Sequence, residues 1–116
     1  MRGNLRRVFR EGLLVLAGTD TGVTGILLGV SSQMELALMV DAGLSPAEAL
    51  QTATIHPAGM LRRERDLGTV EAGKLADLLL LDADPLTDIR NVRKIFRVVR
   101  GGTVYDPARL LSDMPK

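Results

Sequence analysis

The apolar run Leu13-Leu14-Val15-Leu16-Ala17 ends in Gly18, Thr19 and Asp20, a glycine, a hydroxyl and a carboxylate in succession. A carboxylate presented at the end of a strand is a candidate for proton transfer. The same residue can equally be a turn residue, because a short acidic side chain bonds its own backbone at a chain reversal. The other reactive side chains are sparse. His56 is the single histidine and stands directly before Pro57. Gly22, Gly25 and Gly29 suggest a phosphate cradle, but no Gly-Lys-Ser/Thr ending follows, so they read as a flexible loop.

The elements that would position these residues follow from periodicity and caps. Asn4 is placed to cap a first helix with Leu5, Val8 and Phe9 on its apolar face, and Gly12 to stop it. Leu13 to Ala17 show no polar alternation, the pattern of a parallel strand buried on both faces. In Ser32–Gly43, Ser32 and Glu35 match a capping box, Leu36, Met39 and Val40 share one face, and Gly43 terminates. Ser45, Pro46 and Glu48 open a second helix, which should end by His56 because Pro57 disfavours helical geometry in the residue before it. A further short helix is expected over residues 57–66. From Gly68 the texture turns to β: a short strand, a turn at Ala72–Gly73, an apolar strand at Leu78 to Leu81, and a break at Asp84–Pro85. Two β-rich runs around Gly101–Gly102 then mark a hairpin. Met34, Met39 and Met60 are expected to fill the core.

Composition narrows the function. With 116 residues the chain can build one modest core, and with 3 % aromatics that core must be aliphatic. A net charge of +1 argues against a dedicated nucleic-acid or membrane-surface binder. The clusters Arg6, Arg7, Arg10 and Arg62, Arg63, Arg65 read as solvated helix faces. The absence of cysteine removes disulfides and thiolate chemistry and fits a reducing, cytoplasmic compartment. No apolar run is long enough to span a bilayer. An apolar parallel strand needs neighbours, yet no second βα unit supplies them, and a (β/α)₈ barrel takes about 250 residues. Part of the fold is therefore expected from outside these residues.

Three blocks carry a family likeness: "NLRRVFREGLLVLAGTDTG", "MELALMVDAGLSPAEALQTATIHPAGML" and "LGTVEAGKLADLLLLDADPLTDIRNVRKIFRVVRGGTVYD". In this order they resemble the C-terminal part of metal-dependent amidohydrolases, in the imidazolonepropionase-like and prolidase-like branch. The resemblance implies an α/β fold, the C-terminal piece of a (β/α)₈ TIM-like barrel (residues 1–67) followed by strands of a small composite β-sandwich (68–116). It makes Leu13 to Ala17 the eighth strand. It also matches Asp20 to the aspartate that serves such enzymes as metal ligand and catalytic general base. The implied cofactor is a divalent metal, zinc by expectation, and the implied substrate a small-molecule amide cleaved at a C–N bond. No nucleic-acid or membrane partner is implied.

Several family features have no counterpart here. The His-x-His pair, the bridging lysine and two later histidines are absent. His56 stands where the family commonly has Asn-Pro-Ala, which makes it a capping or surface residue. Ser31, Ser32 and Gln33 replace a histidine common in that segment. Glu35 reads as the partner of Ser32, with a place on the active-site rim as the alternative. Gly73–Lys74 beside Asp77 reads as a structural turn. One aspartate cannot hold a catalytic zinc, which needs about three protein ligands. The isolated chain is thus expected to be inactive, needing the missing barrel strands. The alternative is a non-catalytic module whose open strand edges pair with a second copy or a separate barrel subunit.

Overall fold

A computed structural model describes residues 2–20, 22–24, 26, 27 and 29–113. Helix α1 (Arg2–Arg10) begins two residues before Asn4, so Asn4 lies inside the first turn and does not cap it. Leu5 and Phe9 pack on the core, while Arg6, Arg7 and Arg10 stay exposed. Gly12 closes the helix as expected. Its φ is +76°, its N–H donates to Phe9 O, and the Leu13 N–H donates back to Val8 O. That reciprocal pair uses two end carbonyls and favours glycine.

Helix α2 (Ser31–Asp41) buries Leu36 and Met39, as their spacing predicts, and ends at Gly43 by the same kind of reversal. Its start differs from expectation. The residue ahead of it, Val30, is already helical (φ −90°, ψ −40°) and makes no side-chain cap. The expected Ser32–Glu35 box therefore does not form, because Ser32 lies past the position at which a cap operates. Met34 and Met60, expected in the core, are exposed, whereas Met39 is buried.

Helix α3 (Pro46–Ala53) has the predicted capping box. The Glu48 N–H donates to Ser45 Oγ at 3.2 Å, and the Ser45 N–H donates to Glu48 Oε2 at 2.6 Å. The second bond, followed by the hydroxyl contact, holds the Glu48 carboxyl below its ordinary value. The helix breaks at Thr54 (φ −126°, ψ −85°), and α4 (Ile55–Met60) starts at once. Pro57 sits inside the first turn of α4, where its missing N–H costs no helical bond. Residues 61–67 then form turns, so Arg62, Arg63 and Arg65 are exposed but not helical. Gly68 crosses close over this corner at φ +95°, where a Cβ would stand 2.8 Å from Ala58 Cβ and 3.0 Å from Ile55 Cα.

The short strand expected after Gly68 is absent; this stretch is bends and turns around Gly73. Here Thr69 and Glu71 share a hydrogen bond, which lowers the Glu71 carboxyl with help from Lys74. Strand β1 (Leu78–Leu81) pairs antiparallel with β2 (Ile95–Arg100), and β2 with β3 (Thr103–Tyr105), in the order β1-β2-β3. Gly101 and Gly102, at φ +55° and +80°, form the two-residue reversal, whose twist suits a hairpin. The Asp77 carboxylate braces it by accepting from the Gly101 N–H at 2.7 Å. Between β1 and β2, a 3₁₀ helix (Ile89–Arg93) folds back onto α2. Its Ile89 and Val92 join Leu36, Met39, Leu44 and Ala49 in one buried cluster. A final helix, α5 (Pro107–Ser112), is capped by the Asp106 carboxylate. No helix among the described residues is long and apolar enough to cross a membrane.

The expected strand at Leu13–Ala17 requires correction. Residues 13–20 form neither helix nor strand. A segment becomes a strand only when a neighbour bonds it, and among the described residues no strand lies alongside. Leu13 and Leu14 are 60 % and 57 % exposed, so the run is not buried on both faces as expected.

Candidate active site

Although it has no strand partner among the described residues, the segment leading to Asp20 is tied to three helices. The Ala17 N–H donates to Thr52 O on α3 at 2.9 Å. His56 Nδ1 on α4 lies 2.9 Å from Val15 O. A carbonyl can only accept, so Nδ1 carries the proton and the remaining ring nitrogen is the acceptor in the neutral form. The Gly18 N–H donates to Glu35 Oε1 on α2 at 3.0 Å. Each of the helices α2, α3 and α4 thus supplies one bond.

Packing repeats the pattern. Val15 and Ala17, alternate residues of the run, lie against the buried cluster. Phe9 of α1 packs beside His56, ring centres 5.8 Å apart and planes tilted by 31°. Beneath them Thr52 is fully buried, with its hydroxyl donating to Ala49 O at 2.6 Å. Leu14, on the opposite side of the segment, faces out.

Asp20 emerges at the end of this pinned run. It is exposed and adopts φ +49°, a left-handed backbone that few residues other than glycine occupy, though aspartate is among those enriched there. Gly22 and Gly29 of the following loop also take positive φ, while Gly25 lies outside the described residues. The arrangement presents a single solvent-facing carboxylate on a braced backbone. Such a group can accept a proton or join a ligand set, but it cannot form one. Among the described residues, no three His, Cys, Asp or Glu side chains come together to hold a metal ion. The residues present do not fit a metal centre on their own.

The sequence singled out Asp20, His56 and Glu35 but not their connections. His56 is no surface cap; it is half-buried and holds a backbone carbonyl 41 residues away. Glu35 bonds Gly18 instead of Ser32. Thr52 was not anticipated at all, and nothing local marks it, since its role is a backbone carbonyl at the end of a helix. A hollow of about 500 Å³ between β3 and α5, lined by Arg97, Tyr105, Asp106 and Arg109, does not include Asp20.

Comparison with known proteins gives the frame for this geometry. The profile of the amidohydrolase family matches residues 1–105. Adenine deaminase 2 of Jannaschia sp. (strain CCS1) is 35 % identical over 105 residues, covering 90 % of this chain and 16 % of that protein. Imidazolonepropionase of Thermoplasma volcanium is 33 % identical over 107 residues, covering 86 % and 26 %. Among solved structures, a putative prolidase from Bifidobacterium longum superposes with a TM-score of 0.81 at 39 % identity, covering 90 % of this chain and 26 % of its own. The chain spans between 11 % and 26 % of the length of such curated relatives.

Proposed function

Because the chain belongs to the amidohydrolase family, whose homologues are hydrolases acting on carbon–nitrogen bonds, we propose that it supplies one catalytic carboxylate, Asp20, to such a hydrolase. The observation that carries this reading is Asp20 itself, exposed at the end of an apolar run that three helices brace. In this reading residues 13–17 become the eighth strand of a (β/α)₈ barrel once neighbouring strands bond them. Asp20 then stands at the strand's C-terminal end, where barrel enzymes carry their chemistry. Its carboxylate takes a proton from the attacking water and returns it to the leaving amine. The substrate is a small amide or amidine-like C–N compound of the kind named by the deaminase, imidazolonepropionase and prolidase relatives. A divalent metal, zinc by expectation, would need its other donors from outside these residues, with Asp20 as one ligand.

A second reading has its own support. Leu13, Leu14 and Leu79 are exposed, and β1 and β3 are both open sheet edges. These fit a non-catalytic module that pairs with a second copy or with a separate barrel subunit.

One experiment addresses both. Residues 1–116 are expressed alone with zinc, and also grafted in place of the matching segment of an imidazolonepropionase relative. The chain alone is expected to bind no stoichiometric zinc and to show no turnover. The graft is expected to be active and to lose about 10²–10⁴-fold on D20N. Tight zinc with turnover by the chain alone, or an active D20N graft, overturns the reading. A discrete dimer of the chain in solution favours the module.

A further inference from the structure

Beyond Asp20 itself, we infer that Glu35 is the positioning residue that sets the direction in which Asp20 leaves the apolar segment. Glu35 lies on α2, beside the buried Leu36 and one turn before the buried Met39, so its own backbone is anchored in the core. Its Oε1 accepts from the Gly18 N–H at 3.0 Å across 17 residues of sequence. A bond to an amide N–H from an ionised carboxylate is stronger than one to a neutral acceptor. It fixes the peptide plane entering Gly18, two residues ahead of the left-handed Asp20.

The second oxygen shows that this contact is maintained against a cost. Glu35 Oε2 is buried and has no hydrogen-bond partner among the described residues. Buried polar atoms are ordinarily satisfied, and a carboxylate left half-satisfied opposes folding. The side chain is only partly covered, so turning outward would solvate both oxygens. It points inward to Gly18 instead. The other two braces do not reach as far. Thr52 and His56 hold residues 17 and 15, and they fix the run without fixing its exit. Glu35 bonds closer to Asp20 in sequence than either. A misplacement of about 1 Å at a reacting group is enough to cost on the order of a hundredfold in rate.

The inference rests on the catalytic reading of Asp20, and its test separates the two. In the ¹⁵N-labelled 116-residue chain at neutral pH, the Gly18 amide resonance is expected to move in E35A relative to the unsubstituted chain. In E35Q, which keeps an acceptor oxygen, that movement should be much smaller. This contact is read without any activity. In the grafted enzyme, E35A is expected to lower kcat about ten- to a hundredfold with KM and metal content unchanged. E35Q, which keeps an acceptor oxygen for Gly18, should recover most of that loss. A Gly18 amide unmoved by E35A, an E35A graft with unchanged kcat, or a loss fully explained by a smaller folded fraction overturns the inference. Full activity in D20N would remove the catalytic reading while the Gly18 amide shift in E35A still reports the contact.

Discussion

Residues 95–105 and residues 13–20 are both rich in apolar side chains, yet only the first contributes strands to a sheet. In the hairpin each strand bonds a neighbour from the same chain, and two glycines with positive φ make the reversal. The segment before Asp20 relies on single bonds to three helices, with Leu14 exposed. Antiparallel strands a few residues apart find each other locally, whereas a parallel strand needs partners joined through long crossovers. The hairpin therefore finds its strand partners within the chain, and among the described residues the part carrying the candidate chemistry finds none.

The sharpest way to break this contrast is to remove what both regions lean on. Ile89 is 1 % exposed and comes from the connection between β1 and β2, yet it packs in the helical cluster that also receives Val15 and Ala17. Ile89→Ala should destabilise the chain by about 2–5 kcal/mol in denaturant unfolding, because the cavity cannot fully collapse. It should loosen both regions together. Loss of protection in the hairpin alone would show that the shared core does not support the segment. A smaller effect is expected from His56→Ala, about 1 kcal/mol for the lost hydrogen bond. Its amide-exchange signature should be local, with faster exchange around residues 13–18 and an unchanged hairpin. Uniform acceleration across both would deny that the two regions are separately held.

The smallest effect is a pH dependence that should leave both regions alike. The Ser45 backbone N–H and hydroxyl lower the Glu48 carboxyl from its ordinary 4.5. The unfolded chain thus binds more protons than the folded one just below pH 4.5, and stability rises with pH there. The contribution is complete above that value and fades as pH falls through the lowered folded one. Glu48→Gln should flatten this limb in melting curves between about pH 3 and 6. An equally steep limb in the variant would mean that other carboxylates, such as Glu71, dominate it.

Much of the fold could be read from local signals. The Ser45–Glu48 box, the terminating Gly12 and Gly43, and the Gly101–Gly102 hairpin are each decided within a few residues. The misreadings share one cause. Ser32 and Glu35 match a capping box in spacing, but Glu35 finds a donor 17 residues away. His56 before Pro57 looks like a helix-end residue, but its ring meets Val15 O and Phe9. Leu13 to Ala17 have the composition of a strand, but composition provides no neighbour to bond.

By itself the sequence determined the Ser45–Glu48 cap, the terminating Gly12 and Gly43, the apolar strand at Leu78–Leu81 and the Gly101–Gly102 hairpin. Those properties depend on short-range sterics and on backbone groups satisfied within one or two turns. Only the tertiary structure decided that three helices brace the run ahead of Asp20, that Ile89 belongs to the helical core, and that the metal-site donors do not assemble among the described residues. Contacts across tens of residues depend on where the whole chain closes, which no local pattern encodes.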